Sequence, residues 1–343
     1  MKKKGGAGRV VLTVLCVFLG LVLAAGIALT VYVSYLSGLV AREEGTQETL
    51  SQEQIQEILR EETVDPNEST APVMDESEID WGEKEGEVIE TASNVVNILL
   101  IGQDARNNGY RSRSDSMILL TFNPDTKTVT MTSFLRDMYV QIPGYGGDKL
   151  NHTYVYGGMP LLNQTLEQNF GVQVDGNVEV NFIHFAEVID LMGGVDMELR
   201  ADEAAFINRA TERYVLGEGL MHLDGDQALY YSRIRHLDAN ADFSRTNRQR
   251  KVITALIEKF RNAKLTTLLG LLDDLLPMIT TDMSNSDIVQ MATKLFPMLS
   301  ECTIVSQRVP ADGAYDLKTI RGMSCVVADM DAARKLLEET LGG

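Results

Sequence analysis

The sequence predicts an α/β fold, layered α-β-α around a central mixed sheet and preceded by one transmembrane helix. Three observations predict it. Val10 to Ala41 carries no charge for 32 residues, more than the roughly 20 apolar residues that cross a bilayer as a helix. From Asn94 onward, apolar runs of strand length are bounded by turn residues, the pattern of strands buried on both faces. Between the later runs lie segments with helical periodicity, and that alternation is the signature of helices layered on a sheet.

In chain order, residues 1–9 form a basic tip with Lys2, Lys3, Lys4 and Arg9. Residues 10–36 are the expected span. Basic residues stay on the cytoplasmic side, so the N-terminus is expected inside and the rest of the chain outside. The alternative is a cleaved signal peptide, for which Ala24, Ala25 and Ala28 offer small residues. Such a peptide needs only about 7–15 apolar residues, and this run continues past them. Residues 37–93 read as an acidic flexible tether. Its stretch 41–90 holds seventeen acids against three bases, and one-sided charge with the Pro66–Pro72 breaker cluster opposes packing. Within it, Ser51 and Gln54 match a capping box ahead of Ile55, Ile58 and Leu59.

Residues 94–263 are the expected catalytic domain. Val95–Ile101, Ser116–Phe122 and Val129–Phe134 read as strands, with a short one at Val195–Leu199. Helical patterns cover Pro160–Phe170, stopped by Gly171, then His184–Met192, Asp224–Tyr231 and Ser244–Arg261. Residues 264–343 continue as an α/β extension expected to pack on that domain. Thr266–Met278, Ser284–Leu299 and Met330–Leu341 look helical there, and Thr303–Val309 and Ser324–Val327 extended.

Charge excludes one class of function. The net charge is −18, with −14 in residues 41–90 and −8 from residue 91 on, so bulk attraction to nucleic acid is ruled out. A hydrophobic fraction of 44% rules out general disorder. Cys302 and Cys325 can pair, as suits an oxidising compartment, or remain buried thiols. The histidines His152, His184, His222 and His236 show no zinc spacing. No Walker-type loop is present, so nucleotide triphosphates are not indicated.

Polar chemistry concentrates in three clusters at predicted strand or helix ends. Asp104 leaves one apolar strand and Asp115 enters the next, with Arg106 and Arg113 between. Paired carboxylates of this kind suit Mg²⁺ shared with phosphate oxygens, or form a solvated loop whose charges cap one another. Arg136-Asp137 follows the third strand, and Lys149 comes after a Gly-rich loop; these can grip phosphate or lie in solvent. The third cluster is Arg233-Ile234-Arg235 and then Asp242, Arg245, Arg248 and Gln249. Alternate residues of an extended segment share a face, which puts Arg233 and Arg235 together. Arg245, Arg248 and Gln249 stand at i, i+3 and i+4, on one helix face. Arginine is disfavoured at a helix start by the dipole, and a bound anion would reverse that. The competing arrangement satisfies these arginines with Asp238, Asp242 and backbone carbonyls.

Taken together, NILLIGQDAR, SRSDSMILLTFNP, SFLRDMYVQIPGYG, KLNHTYVYGG, LDGDQALYYSRIRH and DFSRTNRQRKV occur in an order that resembles the LytR-CpsA-Psr family of membrane-anchored cell-wall enzymes, over about residues 94–263. The resemblance implies transfer of a glycopolymer from a polyprenyl-pyrophosphate carrier to peptidoglycan, leaving a phosphodiester. It implies Mg²⁺ held by Asp104 and Asp115. The pyrophosphate-binding set would be Arg136, Arg233, Arg235, Arg245, Arg248 and Gln249, joined by Lys149, with Asp242 as a further acidic site position and candidate base. Phe182, Phe185, Val188 and Ile189 would wall a lipid groove, core packing being the alternative for each. Leu135 stands where proline is usual, and Arg250 where a second glutamine is common; neither change removes a phosphate-binding group. Two other readings stay open: a polyprenyl-pyrophosphate hydrolase, and a non-catalytic lipid-binding or regulatory protein of the cell envelope.

Overall fold

The structure, a computed structural model, describes residues 35–36, 38–43, 50–60, 71–103, 111–238, 241–262, 265–299 and 301–342. In chain order its elements are β1 (Ala41–Arg42), α1 (Gln52–Arg60), β2 (Val96–Gln103), β3 (Ser114–Asn123), β4 (Thr128–Phe134), β5 (Tyr139–Ile142), β6 (Gly146–Lys149) and α2 (Leu150–Phe170). Then come β7 (Gly176–Asn181), α3 (Phe182–Leu191), β8 (Val195–Leu199), α4 (Ala201–Thr211), β9 (Gly219–Leu223), α5 (Gly225–Arg233) and α6 (Ala241–Asn262). The C-terminal part holds α7 (Leu265–Leu275), β10 (Thr280–Thr281), α8 (Asn285–Leu299), β11 (Thr303–Val309), β12 (Tyr315–Ile320), β13 (Met323–Ala328) and α9 (Met330–Leu341).

Seven strands form one mixed sheet in the order β1-β10-β7-β2-β3-β4-β11. β7 is parallel to β2 and β11 to β4, whereas β3 is antiparallel to both neighbours. The carboxyl ends of β2, β4, β7 and β11 therefore meet at one end of the sheet. Both faces are covered, which is why the strands read as near-continuous apolar runs: nine of the ten β3 residues are buried. Alternation sorts the side chains. Leu99, Ile101, Met117, Leu119 and Phe134 pack with α2 and α9, while Ile118, Leu120 and Met131 pack with α6 and α8. The expected three-layer arrangement around a mixed sheet is thus present. A further cluster joins α3, α4, α5, β8 and β9.

Three features differ from the sequence reading. α2 starts at Leu150, ten residues before the predicted Pro160, because Gly157 and Gly158 take non-helical angles and break it. The glycine pair hid the first half of the helix. Second, the described parts of residues 37–93 are seated, not free. β1 pairs with β10 at the sheet edge. Leu50 and Ile55 pack on Val155, Ile79 packs beside Tyr139 and Ile320, and Ile89 enters the main core. Net charge misled there, since a few widely spaced apolar residues suffice to anchor an otherwise solvated strip. Third, the C-terminal extension, expected to pack on the preceding domain, goes further and joins its sheet: β11 pairs with β4 and α9 packs in the main core.

Cys302 and Cys325 are buried in separate clusters. The expected span at residues 10–36 lies outside the described residues apart from Tyr35 and Leu36. Among the described residues no helix is long and apolar enough to cross a membrane.

Candidate anion site beside an apolar cavity

β4 delivers the chain to Leu135-Arg136-Asp137 at the carboxyl end of the sheet, the usual place for ligands in open α/β folds. Three elements pin this turn. Leu135 N–H donates to Val309 O, Asn151 N–H to Arg136 O at 3.0 Å, and Val326 N–H to Asp137 O at 2.9 Å. The Arg136 guanidinium donates to Asp115 at 2.7 Å and to Asp137 at 3.2 Å, with Asp242 at 3.5 Å. Lys149, itself buried, lies 3.3 Å from the other Asp137 oxygen. Burial alone would raise the Asp115 carboxyl, but Arg136, Arg245 and Arg235 outweigh it and hold it below its ordinary value. Asp137 is buried too, and Arg136 and Lys149 likewise hold it below its ordinary value.

Arg245, in the first turns of α6, is a buried and incompletely satisfied cation. It is 2% exposed. Its Nη2 lies 2.7 Å from Asp242, yet the pair is not aligned for a hydrogen bond, and Nε and Nη2 are buried without an acceptor. Burial pushes this guanidinium down to about 10, with Arg136 and Arg235 adding repulsion and Asp242 opposing. Arg235 is lowered as well, by burial and then by Arg136. Arg136, Arg235 and Arg245 therefore face one small volume. Buried donors without acceptors, at a helix start that favours negative charge, make a site for a multivalent anion.

An apolar cavity of about 210 Å³ opens between the sheet and helices α3 and α6. Leu100, Ile118, Val178 and Val180 floor it, and Phe182, Phe185, Val188, Ile253 and Leu256 wall it. It adjoins the cations. Arg233, the last residue of α5, lies 4.9 Å above the Phe182 ring. Gln249 lines the cavity and accepts the Ser116 hydroxyl at 3.2 Å, one residue from Asp115.

The structure thus gathers Arg136, Lys149, Arg235, Arg245, Asp115 and Asp242, and sets Arg233 and Gln249 where cavity and cations meet. It sets Arg248 apart: that guanidinium donates to Glu203 at 2.8 Å, to Ile234 O at 3.3 Å and to Asp238. Positions i+3 and i+4 diverge by about 100° around a helix, so Arg248 and Gln249 leave Arg245 on opposite sides. Ile189 is fully buried in the core joining α3 to α6 and does not line the cavity. Asp104 lies outside the described residues. Sequence reasoning missed Val178 and Val180, although their alternation on one strand face was visible.

Among the described residues no three His, Cys, Asp or Glu side chains are placed to hold a metal ion. Both Asp242 oxygens are nevertheless buried without an aligned hydrogen-bond donor. Such oxygens fit a hard cation that takes one or two carboxylates and fills its shell with water and phosphate.

Fold and site together define an α/β protein with a cluster of buried cations beside an apolar cavity at the carboxyl ends of its strands. The LytR_cpsA_psr family model matches residues 54–340, so the chain belongs to the LytR-CpsA-Psr family. It is similar to the polyisoprenyl-teichoic acid–peptidoglycan teichoic acid transferase TagU of Bacillus licheniformis, with 41% identity over 174 residues, 50% of this chain and 55% of that protein. It is also similar to TagT of Bacillus subtilis, with 36% identity over 59% of this chain and 63% of that protein. The chain therefore spans somewhat over half the length of these curated relatives. Among solved structures, TagT bound to LIIa-WTA aligns with a TM-score of 0.61 at 30% identity, covering 77% of this chain and 99% of that one. The LytR-CPS2A-psr family protein YwtF (TagT) with bound octaprenyl pyrophosphate lipid aligns with a TM-score of 0.55 at 28% identity, over the same shares.

Proposed function

We propose that the protein is a membrane-anchored phosphotransferase that moves a glycopolymer from a polyprenyl-pyrophosphate carrier to a hydroxyl of peptidoglycan. The observation that carries this reading is Arg245, whose buried donors lack acceptors in a cation cluster adjoining an apolar cavity. A diphosphate supplies the acceptors, and a prenyl tail suits the cavity. The bound octaprenyl pyrophosphate of the TagT relative supports the pairing. Phosphoryl transfer asks mainly for neutralisation of spreading negative charge, which Arg136, Arg233, Arg235, Arg245 and Lys149 supply.

In the reaction, the acceptor oxygen bonds to the sugar-side phosphorus. The bond from that phosphorus to the bridging oxygen breaks, and polyprenyl phosphate leaves with that oxygen. The hydroxyl proton passes to Asp242, the candidate base. Mg²⁺ would be held by Asp115 and Asp104, and when bound would supply further neutralisation of phosphate charge. The uncharged run at residues 10–36 anchors the chain in the cell membrane, N-terminus inside and catalytic domain outside, with no role for nucleic acid.

The test is transfer by the purified full chain from a lipid-linked polymer to peptidoglycan. Arg136→Ala and Arg233→Ala are each expected to lower the rate at least ~10²-fold, and chelation of Mg²⁺ to slow it. Full rates in both variants overturn the reading. Free polymer released while peptidoglycan is present marks a hydrolase instead, and bound lipid without turnover a carrier-binding protein.

A further inference from the structure

A second group of buried carboxylates lies away from the arginines. Glu43 directly follows β1, and its side chain is only 4% exposed. Its two oxygens accept the Met159 N–H at 3.1 and 3.3 Å, and Arg111 lies 3.8 Å away. That N–H is available because α2 breaks at Gly157 and Gly158 and restarts at Met159, with Pro160 next. A helix start leaves its first N–H groups without intrahelical acceptors, and proline suits the first turn. Gly158 has φ +62°, and a Cβ there would overlap Glu43 Oε1 and Arg111 Nη1. The break is shaped around this carboxyl.

The seat connects onward. Glu179 on β7 also faces Glu43. It accepts the Tyr154 hydroxyl at 2.7 Å and the Gln103 amide, and Gln103 in turn accepts Ser112 N–H at 3.0 Å. Ser112 and Arg111 stand just ahead of β3, which carries Asp115. β1 runs antiparallel to β2 and β7, so the chain preceding it enters from the end of the sheet where the cations lie.

We propose that Glu43 is a latch and a positioning residue. Its carboxyl seats the strap that follows the apolar run in the break of α2. Through Arg111 and the Glu179–Gln103–Ser112 bridge, it fixes the strand ends that present Asp115 to Arg136. β1 pairs over only two residues, beside one further backbone bond from Glu43 to Thr281, too little to hold a strand by itself. Beside the buried Leu36 and Val40, the carboxyl is therefore a main contributor to the seating of the strap.

The latch responds to pH. Burial pushes Glu43 up from 4.5 to about 7; Met159 N–H and Arg111 oppose this, and Glu179 and Asp282 reinforce it. Tyr154 also faces it from α2. The seat prefers the neutral acid, whereas the released strap ionises near 4.5. Seating is thus strongest below about pH 4.5 and weakens as pH rises to about 7, by up to about tenfold per unit. The consequence for catalysis rests on the transferase reading; the seating does not.

Hydrogen exchange of the detergent-solubilised full chain, read by mass spectrometry at pH 5, 6 and 7 and corrected for intrinsic rates, tests this. The wild type should lose protection of residues 38–43 and 111–116 progressively with rising pH. Glu43→Gln, which keeps the shape without the ionisation, should retain protection and lose its pH dependence. Glu43→Ala and Gly158→Val should lose at least about tenfold in protection of both segments at pH 5. Equal protection in Glu43→Ala and wild type, or a pH dependence that survives in Glu43→Gln, overturns the latch. Because the readout needs no turnover, failure of the transferase reading leaves the exchange result interpretable.

Discussion

Arg245 is a charge held where folding alone disfavours it. Its surroundings penalise the guanidinium through burial and through Arg136 and Arg235, and two of its buried nitrogens lack acceptors. Replacing the pair together, as Arg245→Met with Asp242→Leu, should therefore stabilise the ligand-free protein, by about 1–3 kcal/mol, while abolishing retention of a polyprenyl pyrophosphate. Calorimetry beside a lipid-binding assay reads both effects, and a lowered melting temperature in that variant would contradict the unsatisfied-charge account. Asp137 should behave in the opposite sense. It is buried between Arg136 and Lys149, and Asp137→Asn breaks a buried ion network at a cost of about 3–5 kcal/mol. Its carboxyl is held below the ordinary 3.8, so its contribution is present above pH 3.8 and lost as pH falls toward the lower folded value. Acid titration of stability should show a shallower decline below about pH 4 in Asp137→Asn than in wild type. The cations of this site were legible because arginines at a helix start run against the dipole and ask for an anion. Arg248 followed the competing arrangement instead: Asp238 and the Ile234 carbonyl take it, joined by Glu203, which the sequence did not point to.

At the scale of elements, legibility followed burial pattern. β2, β3 and β4 are covered on both faces, and their apolar runs announced them. α2 was half hidden, because a glycine pair inside a helix looks the same in sequence as a loop. Its other end was plain: Gly171 takes φ +71° as a left-handed cap, and its N–H reaches back to Glu167 O and Leu166 O. A Cβ on Gly171 would fall 2.6 Å from the Glu87 carbonyl, where the strip preceding β2 packs against α2. Gly171→Ala thus combines a strained backbone with a backbone clash. It should cost about 1–3 kcal/mol, read as a lower urea midpoint, and a neutral effect would show that the cap and strip yield freely. Seating of residues 37–93 was the least readable feature. Charge describes the exposed side of that strip, while Leu50, Ile55, Ile79 and Ile89, too far apart to form a periodic stripe, do the anchoring.

For the whole molecule, the C-terminal residues decide whether the turn that carries Arg136 exists at all. β11 adds to β4 over seven registered pairs and hands its last carbonyl to Leu135 N–H, while β13 supplies the N–H that holds Asp137 O. The same segment grips the start of α6, where Arg308 lies 4.4 Å over the Phe243 ring and Tyr315 stacks on it at 4.5 Å. Val309, Ile320, Leu337 and Leu341 are fully buried. At about 1.5–3 kcal/mol each, they contribute on the order of 6–12 kcal/mol, comparable with the roughly 5–15 kcal/mol that separates a typical native state from the unfolded chain. A chain ending at Cys302 would lose all four side chains and expose the β4 edge. It should show no cooperative melting transition and no pyrophosphate-lipid retention, whereas the full chain should melt residues 94–263 and 303–341 together. Two separate transitions in the full chain, or a truncated chain that melts cooperatively and still retains the lipid, would instead make the C-terminal part an independent unit docked on a self-sufficient domain of residues 94–263.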